Sequence, residues 1–112
     1  MRVGFVEWPE ALEPSGAEWS EIASQVARVR LDVLVTNELP FGRWIAADAT
    51  FVRKSAQASI DVHIRGLECM AQLAVPAVVS SRPAWAGDRL SNEAFVVERG
   101  SVRPLHRKQY SV

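Results

Sequence analysis

The sequence contains one cysteine, Cys69, so no internal disulfide can form. That suits a reducing compartment, and the cytoplasm is the expected location. There is no excess of either charge. Thirteen basic residues balance thirteen acidic ones, for a formal net charge of +0. Such a balance gives no electrostatic footprint for nucleic acid or for an acidic membrane surface. No apolar run is long enough to span a bilayer. The stretch Met1 to Glu7 is too short and too soon charged for a signal peptide, and reads as a first strand. A phosphate-cradling glycine run and a Gly-x-Ser-x-Gly elbow are both absent. The two histidines, His63 and His106, are not spaced as ligands with any cysteine or acid. No metal and no cofactor is therefore expected. Lysine is scarce too. Among the thirteen basic residues only Lys54 and Lys108 are lysines.

What is present fits one globular domain of 112 residues, 48% hydrophobic and 23% charged. Residues 2–8 are β-rich and end at Pro9. Ser15-Gly16-Ala17-Glu18 has the form of a capping box. Trp19, Ile22, Ala23 and Val26 then recur at helical spacing, and this helix should stop near Arg30. Leu31 to Val35 is an apolar run too short for a helix, and it predicts a buried strand. Residues 38–50, with Pro40, Gly42 and Asp48, predict a loop with Phe41, Trp44 and Ile45 folded inward.

A second helix is expected over 51–74, with Ala56, Ile60, Ile64, Leu67, Ala71 and Ala74 on its apolar face. Gly66 weakens it by about 1 kcal/mol relative to alanine. Leu73 to Val79 predicts a strand, and Ser80 to Ser91 a polar loop. Residues 92–98 and 101–107 predict a hairpin around Arg99-Gly100. Pro104 lacks a ladder donor, so the last strand should be an edge or carry a bulge there. The order β-α-β-α-β-β-β argues for an α/β fold with crossover units and a parallel or mixed sheet.

Two strand-end charges are the candidate site residues. Glu38 sits at the end of an apolar strand, within Asp32 to Pro40. Partial desolvation at a sheet rim would raise a carboxyl toward the range of a general base. Lys108 closes the last strand, where an ammonium can stabilise a developing oxyanion. Taken singly, Glu38 also fits a loop acid that caps an N–H, and Lys108 a surface lysine beside Arg107. Cys69 lies in mid-helix after Glu68, away from the helix N-terminus that would activate a thiol, and reads as packing. The tryptophans Trp8, Trp19, Trp44 and Trp85 read as core and loop packing.

In order and spacing these segments resemble the N-terminal part of the nitrilase superfamily, the carbon–nitrogen hydrolases. The family's first motif is an apolar strand ending in Pro-Glu, then a loop with aromatic and glycine residues. Here it stands as Asp32 to Gly42, with Asn37 in place of the usual proline. The second is an Asn-led strand, a turn with glycine and a strand closing on Arg-Lys. Here it stands as Ser91 to Ser101, then Leu105-His106-Arg107-Lys108. Where the family commonly has Lys-x-His-Leu, this chain has Lys108-Gln109-Tyr110-Ser111. The resemblance covers essentially the whole sequence.

The resemblance implies part of an αββα sandwich, a Glu-Lys-Cys triad and a small amide or nitrile substrate. It also implies a homo-oligomer or a complementary chain. Glu38 matches the general base and Lys108 the oxyanion-stabilising lysine. The nucleophilic cysteine follows the lysine segment in the family, and Cys69 matches no catalytic position. The expectation is thus an N-terminal portion of a hydrolase domain that ends before its nucleophile. Such a chain would be a truncated product, one piece of a split enzyme, or a catalytically inactive binding or assembly module.

Overall fold

A computed structural model describes residues 1–9, 12–37, 40–41, 53–87 and 89–109. The elements are β1 (Val3–Phe5), α1 (Ala17–Val29), β2 (Val33–Val35), α2 (Arg53–Ala71), β3 (Ala77–Ala86), β4 (Arg89–Glu98) and β5 (Ser101–Gln109). This is the expected order. The five strands form one sheet in the order β1-β2-β3-β4-β5. β1, β2 and β3 are parallel, whereas β4 and β5 are antiparallel to their neighbours. The fold is a mixed α/β globule, with two helices among the described residues.

Each parallel connection steps the same way along the sheet. Right-handed crossovers then put both helices on one face. Trp19 and Val26 of α1 and Val62 and Met70 of α2 join a single core cluster with Leu34, Val78, Phe95 and Val97. Leu34, Val78 and Val97 form one row across three strands. The alternate residues face the other way: Val33 and Val35 on β2, Ala77 and Val79 on β3, Ala94 and Val96 on β4. None belongs to the helix-packed cluster. β1 continues this second apolar surface with Val3 and with Phe5, which is 81% exposed.

The core is aromatic at its centre. Trp8 and Trp19 meet edge-on, with ring centroids 5.3 Å apart. Phe41 packs against both and meets the His63 ring edge-on. His63 Nε2 accepts the Phe41 N–H at 3.2 Å. A ring nitrogen that accepts carries no proton, so Nδ1 bears it and donates to the Ser59 carbonyl at 2.8 Å. This pins a neutral histidine in the core.

That packing also rotates α2 from its expected face. Its buried residues are Ala56, Ser59, Val62, His63, Gly66 and Met70, while Ile64 is 56% exposed and Ala71 is exposed. Gly66 is chosen by contact: a Cβ there would overlap the Phe41 ring. Phe41 is fully buried, as expected. Trp44 and Ile45 lie outside the described residues.

Three further expectations are corrected. Ser15 does not cap α1. Gly16 is the N-cap residue, with no side-chain cap bond. Ser15 takes a left-handed conformation (φ 63°) in the turn before it. Its hydroxyl lies 3.2 Å from Cys69 Sγ instead. The third strand starts at Ala77 rather than Leu73, because α2 closes with Leu73 N–H donating to the Met70 carbonyl. Finally, Ser80 to Ser91 is not a loop. β3 and β4 stay paired from Ala77↔Glu98 to Ala86↔Arg89, with Gly87 in left-handed backbone (φ 68°) at the turn. The polar residues that suggest a loop are used inside the ladder. Arg82 donates to Glu93, and Ser91 Oγ donates to the Ala84 carbonyl at 3.0 Å. Pro83 is tolerated because β2 has already ended there, leaving β3 with one described neighbour.

The last hairpin follows its sequence signal. Arg99 and Gly100 both have positive φ, 52° and 78°, as a tight two-residue turn between twisted strands requires. β5 is an edge strand, and the register slips by one residue beside Pro104. Phe95 pairs with Pro104 and Ala94 with His106, which leaves Leu105 as the bulged residue. Among the described residues no helix is long and apolar enough to cross a membrane.

Candidate active site

A cleft of about 260 Å³ opens where β2 ends against the longer strands. Val35, Thr36, Asn37, Val79, Ser80, Ser81, Asn92, Ala94 and His106 line it. Strand alternation explains the mixture. Val35, Val79, Ser81, Ala94 and Asn92 all belong to the sheet face opposite the helices. Near the middle of the sheet that face is aliphatic. Toward the rim it becomes polar through Ser81, Asn92 and Asn37.

The segment leaving β2 is held tightly. Thr36 N–H donates to the Val79 carbonyl at 3.0 Å, continuing the parallel ladder by one residue. Thr36 Oγ1 donates to the Asn37 carbonyl at 2.9 Å. A hydroxyl has one proton, so the 2.6 Å contact with Ser80 Oγ is a bond that Ser80 donates. Asn37 Oδ1 accepts the Trp8 N–H at 3.0 Å. These bonds tie Thr36 to β3 and hold the Asn37 side chain against Trp8.

Glu38 lies outside the described residues. Lys108 is described through its backbone: it belongs to β5, directly opposite Asn92 of β4. The two segments that carry the candidate residues therefore meet one cleft, Thr36 and Asn37 on one side and Asn92 and His106 on the other.

Beside the cleft, on the helix side of the sheet, Arg82 and Glu93 form an ion pair at 2.7 Å. Arg82 Nε adds a second bond to the same carboxylate oxygen at 3.0 Å. The guanidinium also lies over the Phe95 ring, 5.2 Å from its centroid. Glu93 is buried, so the pair fixes the β3–β4 register at this level rather than presenting charge to the cleft.

Cys69 is on α2, hence on the covered side of the sheet, half-buried and in contact with Ser15. It does not share the cleft. Thr36, Ser80, Ser81, Asn92 and His106 are cleft residues that the sequence reading did not single out as functional. The signal was a pair of serines closing an apolar run and an asparagine on the strand that answers it. Among known proteins, no family model matches this sequence and no curated protein matches it.

Proposed function

We propose that this chain is the N-terminal portion of a carbon–nitrogen hydrolase of the nitrilase type, acting on a small amide or nitrile. In this reading Glu38 is the general base and takes the proton of a nucleophilic cysteine supplied from outside these residues. The thiolate attacks the amide or nitrile carbon. Lys108 stabilises the charge that develops on the substrate heteroatom. For an amide the amine leaves, and water hydrolyses the resulting thioester.

The observation that carries the reading is the asymmetry of the sheet. Two helices cover one apolar face, and the second apolar face has none of the described helices on it. Half of an αββα sandwich would leave its sheet in this state, which supports the reading. The cleft lies on that second face, at the rim where Thr36 and Asn37 leave β2 and the Lys108 strand passes. Cys69 is on the wrong side of the sheet to be the nucleophile.

The test uses the complete hydrolase. Glu38→Gln and Lys108→Ala are each expected to lower kcat by at least about 100-fold while the protein stays folded. Near-wild-type turnover in either variant refutes the assigned roles. A second reading, a binding or assembly module without hydrolysis, draws on the open β5 edge, where Val102 and Leu105 are exposed. Turnover by the complete protein that depends on Lys108 excludes it.

A further inference from the structure

The parallel ladder of β2 and β3 closes at Thr36, whose N–H donates to the Val79 carbonyl. Ending a strand requires nothing more, yet two side-chain bonds are added there. Ser80 Oγ donates to Thr36 Oγ1 at 2.6 Å, and Thr36 Oγ1 donates to the Asn37 carbonyl at 2.9 Å. The two hydroxyls form a relay from the interior of β3 to the first carbonyl beyond the ladder. Its origin is buried: Ser80 is 5% exposed and pairs with Phe95 across β3 and β4. Leu34 and Val78 lie two residues before Thr36 and Ser80, so the relay continues the apolar row beneath the helices.

The residue types have a chemical sense. A position that only had to be packed at the end of this row would suit valine, which has the shape of threonine without the hydroxyl. A buried hydroxyl costs stability unless it is bonded. Here both hydroxyls are bonded, and the relay ends on the Asn37 carbonyl, which valine could not hold. A peptide group is planar. Holding that carbonyl therefore sets the plane of the peptide bond that joins Asn37 to the next residue in sequence, Glu38.

We infer that Ser80 and Thr36 are positioning residues: their hydroxyl relay fixes the peptide plane to which Glu38 is bonded. The catalytic part of this inference rests on the proposed role of Glu38, whereas the relay itself is read without turnover.

In carbon- and nitrogen-labelled protein, NMR reads the Asn37 carbonyl carbon through the amide that follows it. Thr36→Val keeps the shape and removes both side-chain bonds, and should move that carbonyl signal. Thr36→Ser keeps the hydroxyl and should leave it near its wild-type position. Ser80→Ala removes only the donor to Thr36 and should move the same signal less. In the complete hydrolase, Thr36→Val should lower kcat by about 10- to 100-fold with KM unchanged. Thr36→Ser should restore most of that loss, which a role in packing alone does not predict. An Asn37 carbonyl signal that stays in place in folded Thr36→Val overturns the inference. So does wild-type kcat in Thr36→Val when Glu38→Gln is inactive. If Thr36→Val does not fold, Ser80→Ala decides by the same two readings. Turnover that persists in Glu38→Gln refutes the hydrolase roles instead, and the carbonyl reading stands apart from it.

Discussion

On one face of the sheet Leu34, Val78, Phe95 and Val97 are packed beneath two helices. One residue away along the same strands, Val33, Val35 and Val79 remain half-exposed, and Phe5 is almost fully so. Both sets are aliphatic or aromatic. A strand that is apolar on both sides has the composition of a strand buried on both sides. Yet described helices cover only one. Among the described residues, then, one apolar face is packed and the other is left half-exposed. The difference separates stability, which resides on the helix face, from the cleft, which opens on the other.

The contrast can be broken or sharpened by substitution, read as the change in unfolding free energy from denaturant titrations. Phe95→Ala removes a fully buried ring beneath α2 and should cost about 3–5 kcal/mol. Gly66→Ala should cost about 1–3 kcal/mol, because the new methyl meets the Phe41 ring. That is informative, since helix propensity alone favours alanine by about 1 kcal/mol. A stabilised Gly66→Ala protein would show that Phe41 is not packed there. His63→Leu keeps the volume but removes the acceptor for the Phe41 N–H, and should cost about 1–3 kcal/mol. On the opposite face, Phe5→Thr should change stability by less than about 0.5 kcal/mol while lowering self-association in sedimentation experiments. A Phe5→Thr cost equal to that of Phe95→Ala would erase the distinction between the faces.

Legibility in the sequence followed the range of the causes. The Arg99-Gly100 turn and the disturbance at Pro104 were readable because two or three adjacent residues set them. The order of helices and strands was readable because each element's period is local. The buried face of α2 was not. It depends on Phe41, which is 22 residues from His63 and 25 from Gly66, and whose ring and N–H those residues receive. The extension of β3 and β4 was hidden because Arg82, Glu93 and Ser91 look like loop residues until they are paired across the ladder. The Ser15 cap failed for the same reason, its hydroxyl being turned toward Cys69, 54 positions away. Of the two candidate site residues, Lys108 falls on β5, which continues the strand expected over 101–107. Glu38 itself lies outside the described residues.

The bulge at Leu105 acts as a parity switch for β5. Before it, odd-numbered Arg103 shares the row of Val96 on the cleft side. After it, even-numbered His106 and Lys108 do. Without the extra residue, Ala94 would face Leu105 and Asn92 would face Arg107, and the arginine would take the lysine's place. A single inserted residue thus selects a compact, single-point cation over a planar fork, in a strand whose Arg-Lys ending offers both.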